Sequence, residues 1–455
     1  MAAATLQKNQ ILRLTCERLG ADLEGVCHHD GLTLFVPGIL PGETFDARVL
    51  KVQPNYAFAR IESLLELSND RAEPFCPVYD RCGGCSGQHI RYQLTLEAKR
   101  QQVFDNLTRV GGLTLTPDDV PPVLGAESPT HCRNKASLPV SGSSQAPVLG
   151  FYRKRSHDLV EIDDCPITLL SLSGVIKAIR QWMRENRIEP YNERTHTGFL
   201  RHVVVRQNRA GDMLVVLAAT SATLPARDAL VHGLQQNEPG FKGLHISENK
   251  LRGNAILGPK SRNLFGADVI TETLLGLQFE ITPLSFFQVN PAQTEVLYQT
   301  AIRFAKLSAG DTVVDAYAGG GTVSLCMARH CQRVIGLEIV PQAVESARVN
   351  AKANGIQNTE FITDAVETAL PKLIADGLRP DVVVLDPPRK GVEQPVIDAL
   401  LEARPKRIVY ISCHVPTQAR DIAKLVPGGY RMTACQPVDM FCYAGGVENV
   451  VCLEC

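Results

Sequence analysis

The chain has 455 residues, 44% of them hydrophobic, which is too long for one ordinary core at roughly 150 residues per domain, so two or three domains are expected. Its longest apolar runs, such as residues 213–219 and 382–385, fall far short of the roughly 20 residues of a membrane helix. Residues 1–9 lack the charged start and apolar stretch of a secretory signal, so a cytoplasmic protein, bound to no membrane, is expected. Lys plus Arg, 47, nearly balances Asp plus Glu, 48, which excludes a global basic field; a nucleic acid could be held only by local patches such as Arg133, Lys135, Arg153, Lys154 and Arg155.

Residues 10–66 alternate short β-rich runs (33–36, 45–49, 56–61) with Gly31, Gly38, Pro41, Gly42 and Pro54, the spacing of a small β-barrel. A knot of Cys and Gly over 75–87 is followed by a polar helix over 94–110 and a linker over 111–122. From 125 to 285 the pattern is again strand-rich, with runs at 136–140, 148–152, 202–206 and 213–218. At Asn290 the texture changes: Asn290 and Pro291 fit an N-cap and a first helical position, and Leu297, Ala301, Phe304 and Ala305 recur at helical spacing. Strands (312–315, 333–338, 360–364, 382–386, 407–412) then alternate with helices (323–328, 341–354, 366–375, 396–403). The expected architecture is an α/β multidomain chain. It has an N-terminal OB-like β-barrel over 1–66, a central β-rich domain over 67–285 and a doubly wound, Rossmann-like domain over 286–455, whose ligands lie beyond the carboxyl ends of its strands.

Asp315-Ala-Tyr-Ala-Gly-Gly-Gly-Thr322 sits where the first strand of that domain hands over to a helix, and three consecutive glycines let a ligand approach the backbone closely. The spacing is not the G-x-G-x-x-G of dinucleotide enzymes, and no phosphate loop of the G-x-x-x-x-G-K-[ST] type occurs. Instead Asp315, Glu338, Asp364 and Asp386 stand at four consecutive strand ends. Carboxylates there disfavour a phosphate-bearing cofactor and suit S-adenosylmethionine, whose sulfonium and amino groups are cationic. Cys413, in Ile411-Ser-Cys-His-Val-Pro416, falls at the same rim. Glu448, in Gly445-Gly-Val-Glu-Asn449, is the C-terminal candidate for a base. In Asp386-Pro-Pro-Arg-Lys-Gly391 two prolines stiffen a turn that can fix Asp386 and project Arg389.

The cysteines at 76, 82 and 85, two of them flanking Gly83 and Gly84, could wrap a metal with Cys165 as the fourth ligand. Spacing alone leaves a four-cysteine zinc site and a 4Fe-4S cluster equally open. The other cysteines read as small core residues or surface thiols.

Asp386-Pro-Pro-Arg-Lys-Gly391, the Ser412-Cys413 pair, Phe286-Phe-Gln-Val-Asn290 and the ending from Val438-Asp-Met-Phe to Val447-Glu448 together resemble the RNA uracil-5-methyltransferase family. The likeness spans roughly the last 170 residues. It implies that Gln288, Tyr317, Thr322, Glu338, Asp364 and Asp386 surround the methyl donor, with Asp364 the least secure match. It further implies Cys413 as nucleophile, Glu448 as base and Phe286 near the target base, with Arg389 beside the substrate. Carbon 5 of uracil is a weak nucleophile; thiolate attack at carbon 6 makes it an enolate that accepts a methyl group, after which a base must remove the carbon 5 proton. The ribosomal-RNA branch of the family is similar in its cysteine spacing and carries a 4Fe-4S cluster, which implies that group on Cys76, Cys82, Cys85 and Cys165 and 23S rRNA over tRNA as the substrate. The barrel looks like the family's RNA-holding TRAM domain, although six basic and seven acidic residues between Lys8 and Glu62 give it no charge signature of its own. A monomer is expected. This chain departs from the family at His414-Val415, where Asn-Pro is usual, and at Gly446, where a His is usual. Methylation of DNA cytosine would need a Pro-Cys site and a target-recognition domain, neither of which is visible; a nonenzymatic Fe-S or RNA-binding module would not need Gln288, Asp386, Cys413 and Glu448 intact.

Overall fold

A two-residue period builds the first unit: in strand Ile11–Thr15, Leu12 and Leu14 turn inward while Ile11, Arg13 and Thr15 face out, as a half-buried strand requires. The computed structural model describes residues 6–455. Six strands pair in the order Ile11–Thr15, Thr44–Val52, Tyr56–Glu66, Leu32–Val36, Gly25–His29, Arg18–Leu19. The two edge strands are neighbours in sequence, so the sheet curls round to meet itself as a barrel, filled by Leu14, Leu34, Val36, Phe45, Ala47 and Val49.

In the central unit, strands Leu200–Gln207 and Met213–Ala219 are buried along their whole length, which requires cover on both faces. Helices Ser173–Glu185 and Arg227–Asn237 supply one cover, with Ile179, Trp182, Leu230 and Leu234 packed against Val203, Val205, Val215 and Leu217. The hairpin of Ile270–Leu274 and Leu277–Ile281 meets Leu214 from the other side.

The C-terminal sheet runs in the order Thr359–Thr363, Arg333–Glu338, Thr312–Asp315, Val382–Leu385, Arg407–Ser412, Glu448–Glu454, Arg431–Val438. The first five strands are parallel, and Glu448–Glu454 runs antiparallel to both neighbours. The three-part α/β architecture expected from the sequence is the one observed.

One segment differs from expectation. Residues 111–122 are packed down rather than free: Leu113, Leu115 and Val120 lie against the C-terminal core together with Val103 and Leu107 of helix Tyr92–Arg109. Arg100 of that helix donates to the Val120 and Pro117 carbonyls at 2.6 and 2.7 Å. The prolines and glycines of this stretch look like a linker, but its spaced apolar residues have a core to enter. Among the described residues no helix is long and apolar enough to cross a membrane.

Candidate active site

The strand order lays four carboxylates along one edge of the C-terminal sheet. Asp315 and Glu338 end their strands, and Asp364 and Asp386 each follow theirs by one residue. The turn above them needs glycine: Gly319 and Gly321 have φ of 52° and 80°, where a Cβ is strained, and a Cβ on Gly321 would sit 2.9 Å from that of Ala347. Glu338 is held by the turn, accepting from the Gly319 N–H at 3.0 Å and the Val340 N–H at 2.8 Å. Asp315 accepts from the Ser324 hydroxyl at 2.6 Å with one oxygen, while the other is buried without a partner. Burial pushes the Asp315 carboxyl up to about 6, and burial together with Asp315 pushes Asp386 up to about 7. Carboxyls raised in this way are relieved by a cation.

Around them, the Thr322 and Tyr298 hydroxyls pair at 2.8 Å, and the Tyr317 hydroxyl is buried without a partner. Gln288 is buried just before helix Pro291–Ala305, its carbonyl accepting from Asn134 Nδ2 at 2.9 Å. Asp364 is exposed, its N–H donating to the Glu338 carbonyl at 3.1 Å. The unpaired Asp315 Oδ1 among raised carboxyls makes this rim fit a ligand that brings both positive charge and hydrogen-bonding groups, as S-adenosylmethionine does.

Cys413 stands between strand Arg407–Ser412 and helix Val415–Leu425, whose N-cap is His414. A helix N-terminus favours a thiolate, yet burial, Glu448 and Asp386 push the Cys413 thiol up to about 11, with Arg389 pulling the other way. Glu448 opens strand Glu448–Glu454, fully enclosed and with Oε2 unpartnered; burial and Asp386 hold its carboxyl well above the usual range. Both shifts favour the neutral forms, thiol and carboxylic acid, in the free protein. His414 Nδ1 pairs with Thr417 Oγ1 at 3.0 Å, and that hydroxyl reaches the Arg389 carbonyl at 3.1 Å. The unusual histidine thus ties the turn of Cys413 to the Asp386-Pro-Pro-Arg389 turn. At Gly446, the other departure, a Cβ would stand 3.0 Å from the Phe441 ring, which occupies that side of the site.

A cavity of about 760 Å³ opens at Cys413 and is lined by Phe286, Phe287, Arg389, Arg133, Lys135 and Arg206 on the one hand and Cys76, Cys82, Cys85 and Cys165 on the other. Phe286 is 75% exposed. Burial pulls Lys135 down to about 8 and Arg206 down to about 10, the neighbouring Arg206 and Arg133 adding to the effect on Lys135. Arg206 donates to the Pro283 and Ser285 carbonyls. The Cys85 thiol is pushed up to about 11 by burial and by Cys165, Cys82 and Cys76. So the four thiols converge, but among the described residues no three His, Cys, Asp or Glu side chains are drawn together as a metal site.

Three features escaped the sequence reading. Cys132 and Cys442, which read as core or surface thiols in the sequence, line this same cavity. Arg206 was hard to find, because its strand also carries Arg201, His202 and Gln207 and its burial along the whole length shows only in the structure. Lys99 could have been found, as it lies on the buried stripe of its helix with Leu96, Val103 and Leu107; its partner, Asp439, is 340 residues away.

The five parallel strands with a reversed strand beside the fifth, the glycine turn and the carboxylate rim define a class I S-adenosylmethionine-dependent methyltransferase. Residues 260–455 match the family described as tRNA (Uracil-5-)-methyltransferase, and residues 6–61 match the TRAM domain. An RNA methyltransferase of Clostridium acetobutylicum is 40% identical over 450 residues, 99% of this chain and 98% of the relative. One of Listeria monocytogenes is 40% identical over 455 residues, covering all of both chains. The crystal structure of the Pyrococcus abyssi tRNA (uracil-54, C5)-methyltransferase in complex with S-adenosyl-L-homocysteine superposes with a TM-score of 0.76 at 25% identity, covering 97% of this chain and 100% of that one. The chain belongs to the RNA uracil-5-methyltransferase family, with an N-terminal TRAM domain.

Proposed function

We propose that this protein methylates carbon 5 of a uridine in RNA through a covalent adduct on Cys413. The observation that carries the reading is the convergence of Cys413 and enclosed Glu448 beside the carboxylate rim, at the mouth of a cavity with an exposed aromatic ring. The donor, held by Gln288, Tyr317, Thr322, Glu338 and Asp386 with Asp364 at the outer edge, supplies its methyl group as a cation equivalent. The target uridine leaves its stack to enter the cavity, where Phe286 stacks on it and Arg389 orients it. Arg133 and Lys135 hold RNA phosphate near the entrance. The Cys413 thiol gives up its proton to solvent, its sulfur bonds to carbon 6, and the ring's electron pair shifts to make carbon 5 nucleophilic. Once carbon 5 carries the methyl group, Glu448, having lost its own proton to solvent as the complex forms, takes the carbon 5 proton, the double bond re-forms and the thiolate leaves. All of these groups come from one chain, so a monomer suffices.

Large-subunit ribosomal RNA is the favoured substrate, on the strength of the four-cysteine set. The Pyrococcus abyssi structure favours a second reading, a tRNA uridine. Nucleoside mass spectrometry, after incubating the protein and S-adenosylmethionine with rRNA and tRNA from a strain lacking the gene, separates them. New 5-methyluridine in the rRNA pool is expected; its appearance only in tRNA selects the second reading, and none in either pool refutes uridine methylation.

Cys76, Cys82, Cys85 and Cys165 hold a 4Fe-4S cluster in this reading. The support is a four-thiol donor set around one cavity, close enough together for neighbouring thiols to resist one another's ionisation. A single zinc ion, with bonds of about 2.3 Å, would draw the sulfurs closer together. Anaerobically purified protein is expected to contain about four irons and four labile sulfides per chain; stoichiometric zinc without iron would contradict this.

A further inference from the structure

Glu448 has no hydrogen-bonding partner for Oε2, so its place is set by the chain that leads into it, residues 439–447. That loop is gripped at its start and in its middle. Asp439 is fully buried; Oδ1 accepts from Lys99 Nζ at 2.5 Å and Oδ2 from the Tyr92 hydroxyl at 2.6 Å. Lys99, equally buried, also donates to the Phe441 carbonyl at 2.9 Å. The Asp439 carbonyl accepts from Gln293 Nε2 at 3.1 Å. In the middle, the Tyr443 carbonyl accepts from the Ser86 and Gly87 N–H groups at 2.8 and 2.9 Å, immediately after Cys85. Tyr443 holds a φ of 57°, a left-handed conformation that costs a side-chain-bearing residue free energy and persists only when its surroundings enforce it. At Gly445 a Cβ would stand 2.1 Å from the Ala21 carbonyl of the barrel, so the loop has no slack there. Phe441, Ala444 and Gly446 meanwhile line the cavity at Cys413.

A buried ion pair adds little net stability compared with apolar packing, but it fixes a geometry, because losing either partner strands a charge. We propose that residues 439–447 form a strap that positions Glu448 for proton removal, with Lys99, Asp439 and Tyr92 as positioning residues and the cysteine loop as its second anchor. This rests on the reading of Glu448 as the base. Its hold on Glu448 bears on one step: forming the Cys413 bond and moving the methyl group do not need Glu448, whereas releasing the product does.

The test uses Tyr92→Phe and the double variant Lys99→Met with Asp439→Asn, which leaves no stranded charge, each checked for an unchanged thermal melt, and Asp439→Asn, whose melt is expected to fall because Lys99 is left buried and unpaired. With natural uridine RNA, turnover is expected to fall about 10- to 100-fold in Asp439→Asn and the double variant, the scale of a small misplacement of a reacting group, and less in Tyr92→Phe. The donor Kd is expected to stay within about twofold, since no donor contact is touched. The methylated RNA–protein adduct should accumulate, as it should in Glu448→Gln. A purely structural role would lower turnover without accumulating adduct, and that result, or wild-type turnover, would overturn the strap. If Glu448→Gln itself accumulates no adduct, the assignment of the base has failed instead.

Discussion

The carboxylate rim takes Asp315, Glu338, Asp364, Asp386 and Cys413 from five strands of one sheet, each at or just past a strand end. The facing wall takes Cys76, Cys82 and Cys85 from a loop after the barrel, Arg133, Cys165 and Arg206 from the central unit, and Phe441 and Gly446 from the loop before the last strand. The rim is rigid because a parallel sheet fixes its spacing. The wall is held by particular bonds between distant segments, such as Lys99 to Asp439 and Ser86 to Tyr443. In the proposed mechanism the chemistry is thus mounted on the repeating part of the fold, and substrate contact on a wall shared by the central and C-terminal units.

Variants on the two sides should therefore fail in different ways. The largest effect belongs to Cys413→Ala, which is expected to lower 5-methyluridine formation by at least about 1,000-fold while leaving the donor Kd within about twofold, measured by single-turnover assay and calorimetry. Next is Asp386→Asn, expected to weaken donor binding by about 10- to 100-fold, as loss of a charge-assisted contact does. It should also flatten the pH dependence of binding. In the wild type the Asp386 carboxyl sits at about 7 and a cationic ligand favours its ionised form, so affinity is expected to rise as pH increases through 7, with protons released on binding. Equal affinity at pH 6 and pH 8 would contradict the rim as a cation site.

The wall is probed by Phe286→Ala, expected to raise the KM for RNA about 10-fold with the donor Kd unchanged, the scale of one lost base stack. A loss in donor binding would break the distinction between rim and wall. The smallest effect should come from Asn290→Ala. Asn290 caps helix Pro291–Ala305, its side chain accepting from the Gln293 N–H at 3.3 Å, and its loss should cost about 1 kcal/mol in denaturant unfolding, with activity nearly kept.

The same contrast explains what could be read from the sequence. The alternation of strands and helices after Asn290, the glycine turn and the acidic strand ends are local signals, and each landed at the sheet edge as expected. The packed segment 111–122 and the Lys99–Asp439 pair depend on which distant surface a short stretch meets, and periodicity within one stretch carries no such information. The convergence of the four cysteines with Cys413 in one cavity is of the same kind: spacing suggested the set but not its neighbour.

The most direct test is covalent trapping with RNA carrying 5-fluorouridine, because fluorine at carbon 5 cannot leave as a proton and the adduct persists. Intact mass spectrometry is expected to find protein joined to methylated RNA, with digestion mapping the bond to Cys413 and the rate of trapping rising with pH, since the thiol rests near 11. An adduct that forms equally well in Cys413→Ala would contradict the account.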